Sequence, residues 1–166
     1  MKIDVSDLTK RKSARKDLDI SIDLDGFNYG EEYIKLLSPI KFKGALTFLE
    51  NLLELQGQLQ CILELTCSRC LSKFPMELDI PVQEKLSIQM DTADEDEDII
   101  FLESDILDVT EIMLENIILY LPIKRLCKED CKGLCQQCGT DLNSSSCNCE
   151  SDDIDPRLAK LKDFFD

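Results

Sequence analysis

Leu53-Glu-Leu-Gln-Gly-Gln-Leu-Gln-Cys61-Ile-Leu-Glu-Leu-Thr-Cys67-Ser-Arg-Cys70 is the stretch from which the fold can be read. Leu53, Leu55, Leu59, Cys61, Leu63 and Leu65 share one face, while Glu54, Gln56, Gln58, Gln60 and Glu64 mostly line the other. A period of two with one apolar side specifies a half-buried strand. Beyond the cysteines, Phe74, Met76, Leu78, Ile80 and Val82 alternate again. Cys67-Ser-Arg-Cys70 therefore sits at the turn between two long strands. Strands joined by short turns predict an antiparallel sheet with one wet face. Pro75 and Pro81 put the second strand at an edge, or break it.

Moving outward, Leu18, Ile20, Ile22 and Leu24 alternate with Asp17, Asp19, Ser21 and Asp23, a further half-buried strand. Ile40, Phe42, Leu46 and Phe48 repeat the pattern, with Gly44 expected at a bend or bulge. Leu86, Ile88 and Met90 continue the alternation up to an acidic stretch, Asp91 to Asp98, which reads as a solvated loop. From Asp108 to Leu121 the period changes. Val109, Ile112, Met113, Ile117 and Tyr120 fall at helical spacing, Asp108 can cap the first turn, Glu111 stands at the capping-box position, and Pro122 ends the helix. The wide apolar stripe suits packing across the sheet better than a groove for a partner. Asp155-Pro156 opens a final short helix, with Leu158, Leu161 and Phe165 on one face.

Eight of the nine cysteines form close pairs: Cys67/Cys70, Cys127/Cys131, Cys135/Cys138 and Cys147/Cys149. Zinc takes four thiolates in a tetrahedron, and a short loop aims two at one ion. Four pairs predict two structural zinc sites of four cysteines each. Cys135, Cys138, Cys147 and Cys149 can close a site locally, with Gly139 suited to the knuckle turn. Cys67, Cys70, Cys127 and Cys131 would then share the second ion. Closing that long loop costs a few kcal/mol, against roughly 10–16 kcal/mol of apparent zinc binding. The rival pairing groups Cys127, Cys131, Cys135 and Cys138, leaving Cys67, Cys70, Cys147 and Cys149. Knuckle pairs usually join across one short loop, which favours the first scheme. Cys61, on the apolar face of its strand, is a small buried hydrophobe.

The expected fold is therefore α+β: an antiparallel sheet or partly closed barrel, one packed amphipathic helix, a Cys-rich zinc-ribbon-like module and a short C-terminal helix. Residues 1–122 would form the β domain, with a basic N-terminal arm and a helix over about 108–121. Residues 123–166 would form the zinc module, with the Cys67/Cys70 turn packed against it.

The 166 residues carry a net charge of −15 and no histidine. Without histidine, Ser–His and Cys–His catalysis is excluded. Four-cysteine sites leave zinc no open position for chemistry. There is no Gly-rich phosphate loop, and Lys132-Gly133 does not make one. A redox Cys-x-x-Cys would open a helix after a strand, whereas Cys70 leads into another strand. The expectation is a non-enzyme with no small-molecule substrate. No signal-like or membrane-length apolar run is present, so a soluble cytoplasmic protein is expected, where cysteine pairs mean metal more often than disulfides. A surface this acidic repels nucleic acid over most of its area. Any RNA contact must be confined to basic clusters: Lys10, Arg11, Lys12, Arg15 and Lys16 near the N-terminus, and Arg69, Lys124, Arg125, Lys128 and Lys132 among the cysteines. The N-terminal cluster reads equally as a flexible arm or a binding arm.

The chain resembles the YceD family, the large ribosomal RNA subunit accumulation proteins. Cys67-Ser-Arg-Cys70 and Glu115-Asn-Ile-Ile-Leu-Tyr-Leu-Pro122 carry the resemblance, followed by the run from Cys127 to Asn143, Cys147-Asn-Cys149 and Asp155-Pro-Arg157. Gln136 stands where the family often has proline. The resemblance implies a cytoplasmic ribosome-biogenesis factor that supports accumulation or processing of 23S-type rRNA, by binding rRNA or the pre-50S particle. Two other functions fit the residues. One is an acidic adaptor for a basic ribosomal protein that never touches RNA. The other is a zinc-dependent thiol redox sensor.

Overall fold

The computed structural model describes residues 1–10, 13–49, 52–87, 99–102 and 104–149. These form two compact units. One comprises Met1–Leu65 and Lys73–Arg125; the other comprises Thr66–Ser72 and the chain from Leu126 onward. Arg11, Lys12, Ile88, Met90, the acidic stretch 91–98 and the expected helix after Asp155 lie outside the described residues.

The first unit is built on a large sheet. Its strands are β2 (Arg15–Ile22), β3 (Gly26–Tyr29), β4 (Glu32–Leu36), β5 (Ile40–Leu49), β6 (Leu52–Thr66), β7 (Lys73–Ser87) and β8 (Ile99–Phe101). The order β2-β5-β6-β4-β3 is continued by β7 on β6 and β8 on β7, so the sheet stays open rather than closing into a barrel. β2 with β5, β3 with β4, and β4 and β5 with β6 pair antiparallel, whereas Lys85–Ser87 of β7 run parallel to Ile99–Phe101 of β8. The described residues pair β8 only with the last three positions of β7. Among the described residues, then, the outer edge of β7 carries no ladder at Pro75 and Pro81.

The alternation in β6 holds along its full length. Leu53, Leu55, Leu59, Cys61, Leu63 and Leu65 are all buried. Gly44 is not a bulge: it lies in unbroken register opposite Gly57. A Cβ on either glycine would fall 2.6 Å from Cζ of Phe42, a fully buried ring. The two glycines make room for that ring, an arrangement that stabilises a cross-strand glycine pair through aromatic cover. The β3–β4 hairpin is not legible from alternation alone, because its polar tip at Gly30 hides the short apolar series of Phe27, Ile34 and Leu36.

A second, two-stranded sheet pairs β1 (Lys2–Asp4) with β9 (Ile106–Asp108). The N-terminus is therefore not a free arm. Ile3, Val5 and Leu8 are buried, the last in a one-turn helix α1 (Ser6–Thr9) that lies against β5. Helix α2 (Val109–Tyr120) packs on β7 and β1, burying Val109, Ile112, Met113 and Ile117. Tyr120, expected on that stripe, is exposed. Asn116 is buried on it instead, its amide donating to Glu84 at 2.7 Å and to the Ile112 carbonyl at 3.1 Å.

Asp108 caps α2, accepting from the Thr110 N–H at 3.1 Å. The reciprocal partner is not Glu111 but the chain's own first residue. The Met1 carbonyl accepts from Val109 N–H at 3.0 Å, and its amino group donates to Asp108 at 3.2 Å and to Thr110 Oγ1. These bonds satisfy donors that a helix start otherwise leaves unpaired. No helix among the described residues is long and apolar enough to cross a membrane.

Candidate metal centres

The second unit consists of two turns of one design, each followed by a partner pair of cysteines. In Cys67-Ser-Arg-Cys70-Leu71-Ser72, the Leu71 N–H donates to the Cys67 carbonyl at 3.0 Å, and the Cys67 N–H to the Ser72 carbonyl at 2.9 Å. In Cys135-Gln-Gln-Cys138-Gly139-Thr140, the Gly139 N–H donates to the Cys135 carbonyl at 2.9 Å, and the Cys135 N–H to the Thr140 carbonyl at 2.9 Å. The residue after the second cysteine has a positive φ in both turns, 59° at Leu71 and 73° at Gly139. The hydroxyl one position further on approaches the second sulfur in both: Ser72 Oγ lies 3.0 Å from Cys70 Sγ, and Thr140 Oγ1 lies 3.1 Å from Cys138 Sγ. A turn of this kind directs two sulfurs and several backbone N–H groups to one point.

The partner pairs complete two clusters. Cys67, Cys70, Cys127 and Cys131 form one, and Cys135, Cys138, Cys147 and Cys149 the other, with all sulfurs in each within 4.8 Å of one another. Of the two groupings left open by the spacing, this is the one that joins each knuckle to its own short pair. Cys67 and Cys131 sulfurs stand 3.8 Å apart, and Cys70 and Cys127 sulfurs 3.6 Å. A disulfide needs about 2.05 Å. A tetrahedron with about 2.3 Å metal–sulfur bonds has edges of about 3.8 Å. The donor set thus fits a tetrahedral thiolate-bound ion, and the two groups are positioned to hold metal ions.

The electrostatics agree. Burial alone would raise the Cys67 thiol, but the N–H groups of Cys70, Cys127 and Arg69 outweigh it and bring it to about 6. Cys138 is drawn down to about 6 by the Thr140 hydroxyl and then its N–H. Cys127 is pushed up to about 12 by burial and then by the Cys70 sulfur, and Cys149 to about 12 by the Cys138 sulfur and then by burial. Four sulfurs this close resist full ionisation, and a divalent cation removes that repulsion.

The clusters differ in exposure. Cys67, Cys70 and Cys131 are buried and Cys127 half-buried, whereas Cys138 and Cys149 are exposed and Cys135 and Cys147 half-buried. Loop packing explains the difference. Arg69 Nη1 donates to the Cys131 carbonyl at 2.7 Å, Leu134 N–H to the Arg69 carbonyl at 3.1 Å, and Leu142 N–H to the Gly133 carbonyl at 3.0 Å. Gly133 is required there, with φ of 79° and Arg69 O 3.1 Å from where a Cβ would lie. Cys61 belongs to the hydrophobic core of the first unit, with burial raising its thiol to about 11.

The basic candidates divide sharply. Arg125 is only 14% exposed at its side chain and is occupied structurally, 2.5 Å from Glu32 and stacked 5.9 Å over the Tyr29 ring. That engagement holds its guanidinium in place within the first unit. Arg69 is exposed, with Nη1 donating to the Cys131 carbonyl. Lys10 faces Asp105 at 3.8 Å, Arg15 faces Asp17 at 2.8 Å, and Lys16 donates to the Asp4 carbonyl at 2.9 Å, all at exposed positions. Lys124, Lys128 and Lys132 are exposed, the last two with Glu129 and Asp130 exposed between them. Sequence reading missed Ser72, Thr140 and Asn143 as outer partners of the sulfurs. For Ser72 and Thr140 the available signal is the hydroxyl repeated two residues after the second cysteine of each knuckle.

The family model described as "Large ribosomal RNA subunit accumulation protein YceD" matches residues 55–165. The chain is 28% identical over 147 residues to the Bacillus subtilis (strain 168) protein YlbN, described as uncharacterized, covering 88% of this chain and 86% of that one. It is 31% identical over 102 residues to an uncharacterized Mycobacterium tuberculosis (strain H37Rv) protein, Rv2926c, and the match covers 60% of this chain and 49% of that one. No solved structure matches this chain significantly. The family match spans both knuckles and both partner pairs, and on that ground the chain belongs to the YceD family of large ribosomal RNA subunit accumulation proteins.

Proposed function

We propose that this protein is a non-enzymatic ribosome-biogenesis factor that supports accumulation of 23S-type rRNA through local contact with rRNA or the pre-50S particle. The observation that carries the reading is the pair of closed four-cysteine clusters in a chain of that family. We take the bound ion to be zinc: four thiolates at tetrahedral edge lengths suit it, and it brings no redox chemistry of its own. In each cluster the four cysteines fill the coordination shell, so zinc would supply rigidity and charge neutralisation, not a reacting site. The chain's own residues then do the rest. The two knuckles hold a short, stiff loop system on which Lys128 and Lys132 are exposed, with Lys128 near enough to Asp141 to help lower that carboxyl. Contacts from such lysines position a protein on phosphates and carry no sequence information.

The net charge of −15 confines RNA to such places and also favours basic ribosomal proteins as neighbours. An acidic adaptor that binds only protein is therefore the second reading. Filter binding of the full chain to a 23S-type transcript at two ionic strengths separates them. Direct contact predicts affinity that falls steeply with salt, and a Lys128→Glu/Lys132→Glu variant with a shallower slope. Salt-indifferent or undetectable RNA binding, with retained capture of a basic ribosomal protein, would favour the adaptor. A cytoplasmic thiol sensor would require a thiol that reacts in the metal-loaded protein. Inertness to a thiol reagent until the metal is stripped would dismiss it.

A further inference from the structure

Asn143 lies in the loop between Cys138 and Cys147 of the exposed cluster, yet its side chain serves the buried one. Its Nδ2 is 3.4 Å from Sγ of Cys131. Its Oδ1 accepts the Lys132 N–H at 2.9 Å. That second bond fixes the amide's orientation, since only the oxygen can accept from a backbone N–H, and so the donor faces sulfur.

The loop is built to hold this pose. The Asp141 carboxylate accepts from Asn143 N–H at 2.9 Å and from its Nδ2 at 2.7 Å. The Asp141 carbonyl accepts from the Ser144 and Ser145 hydroxyls, both at 3.2 Å. Leu134 and Asp141 form an isolated antiparallel bridge, and Leu134 N–H donates back to Arg69, between the knuckle cysteines of the buried cluster. An unbroken run of hydrogen bonds therefore joins the loop of one cluster to the knuckle and to a ligand of the other.

We infer that Asn143 is a positioning residue that couples the two metal centres: an ion in the exposed cluster orders the 139–147 loop, which presents an amide donor to the Cys131 thiolate, so each ion tightens the binding of the other. The physical ground is twofold. A donor to a metal-bound thiolate spreads its charge and fixes its orientation, and loss of such outer partners typically weakens metal binding 10- to 100-fold. A coupling of this kind is reciprocal by linkage, whichever ion arrives first.

The test is titration of the full reduced chain with Co²⁺ and then Zn²⁺, following the sulfur-to-cobalt charge-transfer absorption. Removing the exposed centre with Cys138→Ser/Cys149→Ser should weaken Co²⁺ binding at the buried centre about tenfold. Asn143→Asp keeps an acceptor for Lys132 but offers sulfur no donor. In that background the same cysteine substitutions should change the buried centre's affinity less than twofold. Asn143→Asp alone should also move the charge-transfer band to longer wavelength, because a thiolate without its donor gives up an electron more readily. Far-UV circular dichroism on the same samples reports the sheet of the first unit, and Asn143→Ser, whose side chain falls short of sulfur, serves as the second variant. An unchanged buried-centre affinity after loss of the exposed centre would overturn the inference. So would equal coupling with and without Asn143. Failure of the unaltered chain to bind Co²⁺ or Zn²⁺ would instead remove the metal reading on which the inference rests.

Discussion

Leu71 and Gly139 occupy the same backbone position in two different turns, each following the second cysteine of a Cys-x-x-Cys and each at a positive φ, 59° and 73°. Glycine reaches that conformation without cost, whereas an L-residue with a Cβ carries about 1–2 kcal/mol of strain there. The buried centre accepts that strain at Leu71, which is 64% exposed and so contributes little burial in return. Leu71→Gly should therefore leave the metal content unchanged and raise the chelator concentration needed to empty the buried centre, a gain on the order of 1 kcal/mol. Gly139→Leu should do the reverse at the exposed centre. Competition with a colorimetric zinc chelator checks both.

Metal removal should unfold one unit and spare the other. In the second unit, buried side chains among the described residues are chiefly cysteines themselves, Cys67, Cys70 and Cys131. Modules so poor in apolar burial depend on bound metal for folding. The first unit keeps a core from Ile3 to Ile117 without any such ligand. A chelator under reducing conditions should open 126–149 to limited proteolysis while the sheet signal in far-UV circular dichroism persists. Simultaneous loss of both would contradict the independence of the first core.

Gly57→Ala should destabilise the first unit by roughly 1–3 kcal/mol, the range for overpacking. The added methyl would lie 2.5 Å from the Lys43 carbonyl and 2.6 Å from the Phe42 ring. Phe42→Leu in the same chain should recover part of that loss, because it frees ring space but not the carbonyl contact. Urea denaturation midpoints of the single and double variants measure the coupling.

Asp108 should contribute a pH-dependent part of the stability of α2. Its carboxyl is buried enough to be pushed up, but the Met1 amino group and the Thr110 N–H outweigh this and hold it below 3.8. A carboxyl depressed in the folded state stabilises above its unfolded value and loses that stabilisation as pH falls through the folded value. Asp108→Ala should cost about 1 kcal/mol at pH 7 through loss of the cap. Asp108→Asn keeps a capping oxygen, so its deficit relative to the native chain should shrink as pH drops below about 3.8. Denaturation midpoints of the three chains at several pH values give the comparison.

Cys61 should be chemically silent. With its thiol raised to about 11 by burial, roughly one molecule in a thousand would carry a thiolate at pH 8. Peptide mass spectrometry after alkylation of the metal-loaded protein should find it unmodified. Cys61→Ala should retain full metal content and cost on the order of 1 kcal/mol.

What the chain's order alone determined is periodic or paired. The alternation from Leu53 to Leu65, the change to helical spacing at Asp108 and the four cysteine pairs were all legible, because strand pleat, helix pitch and knuckle loops repeat over a few residues. The tertiary structure decided whatever depends on meetings across long stretches of chain. Met1 completes the cap of a helix more than a hundred residues away, Glu32 pairs with Arg125, Gly44 turns from a suspected bulge into space for Phe42, and Asn143 reaches the sulfur of a cluster other than its own. Local propensity is blind to such pairs. A lysine or arginine has the same letter whether it is solvated or buried against a carboxylate, and a hydrogen bond exists only once folding has brought donor and acceptor within about 3 Å.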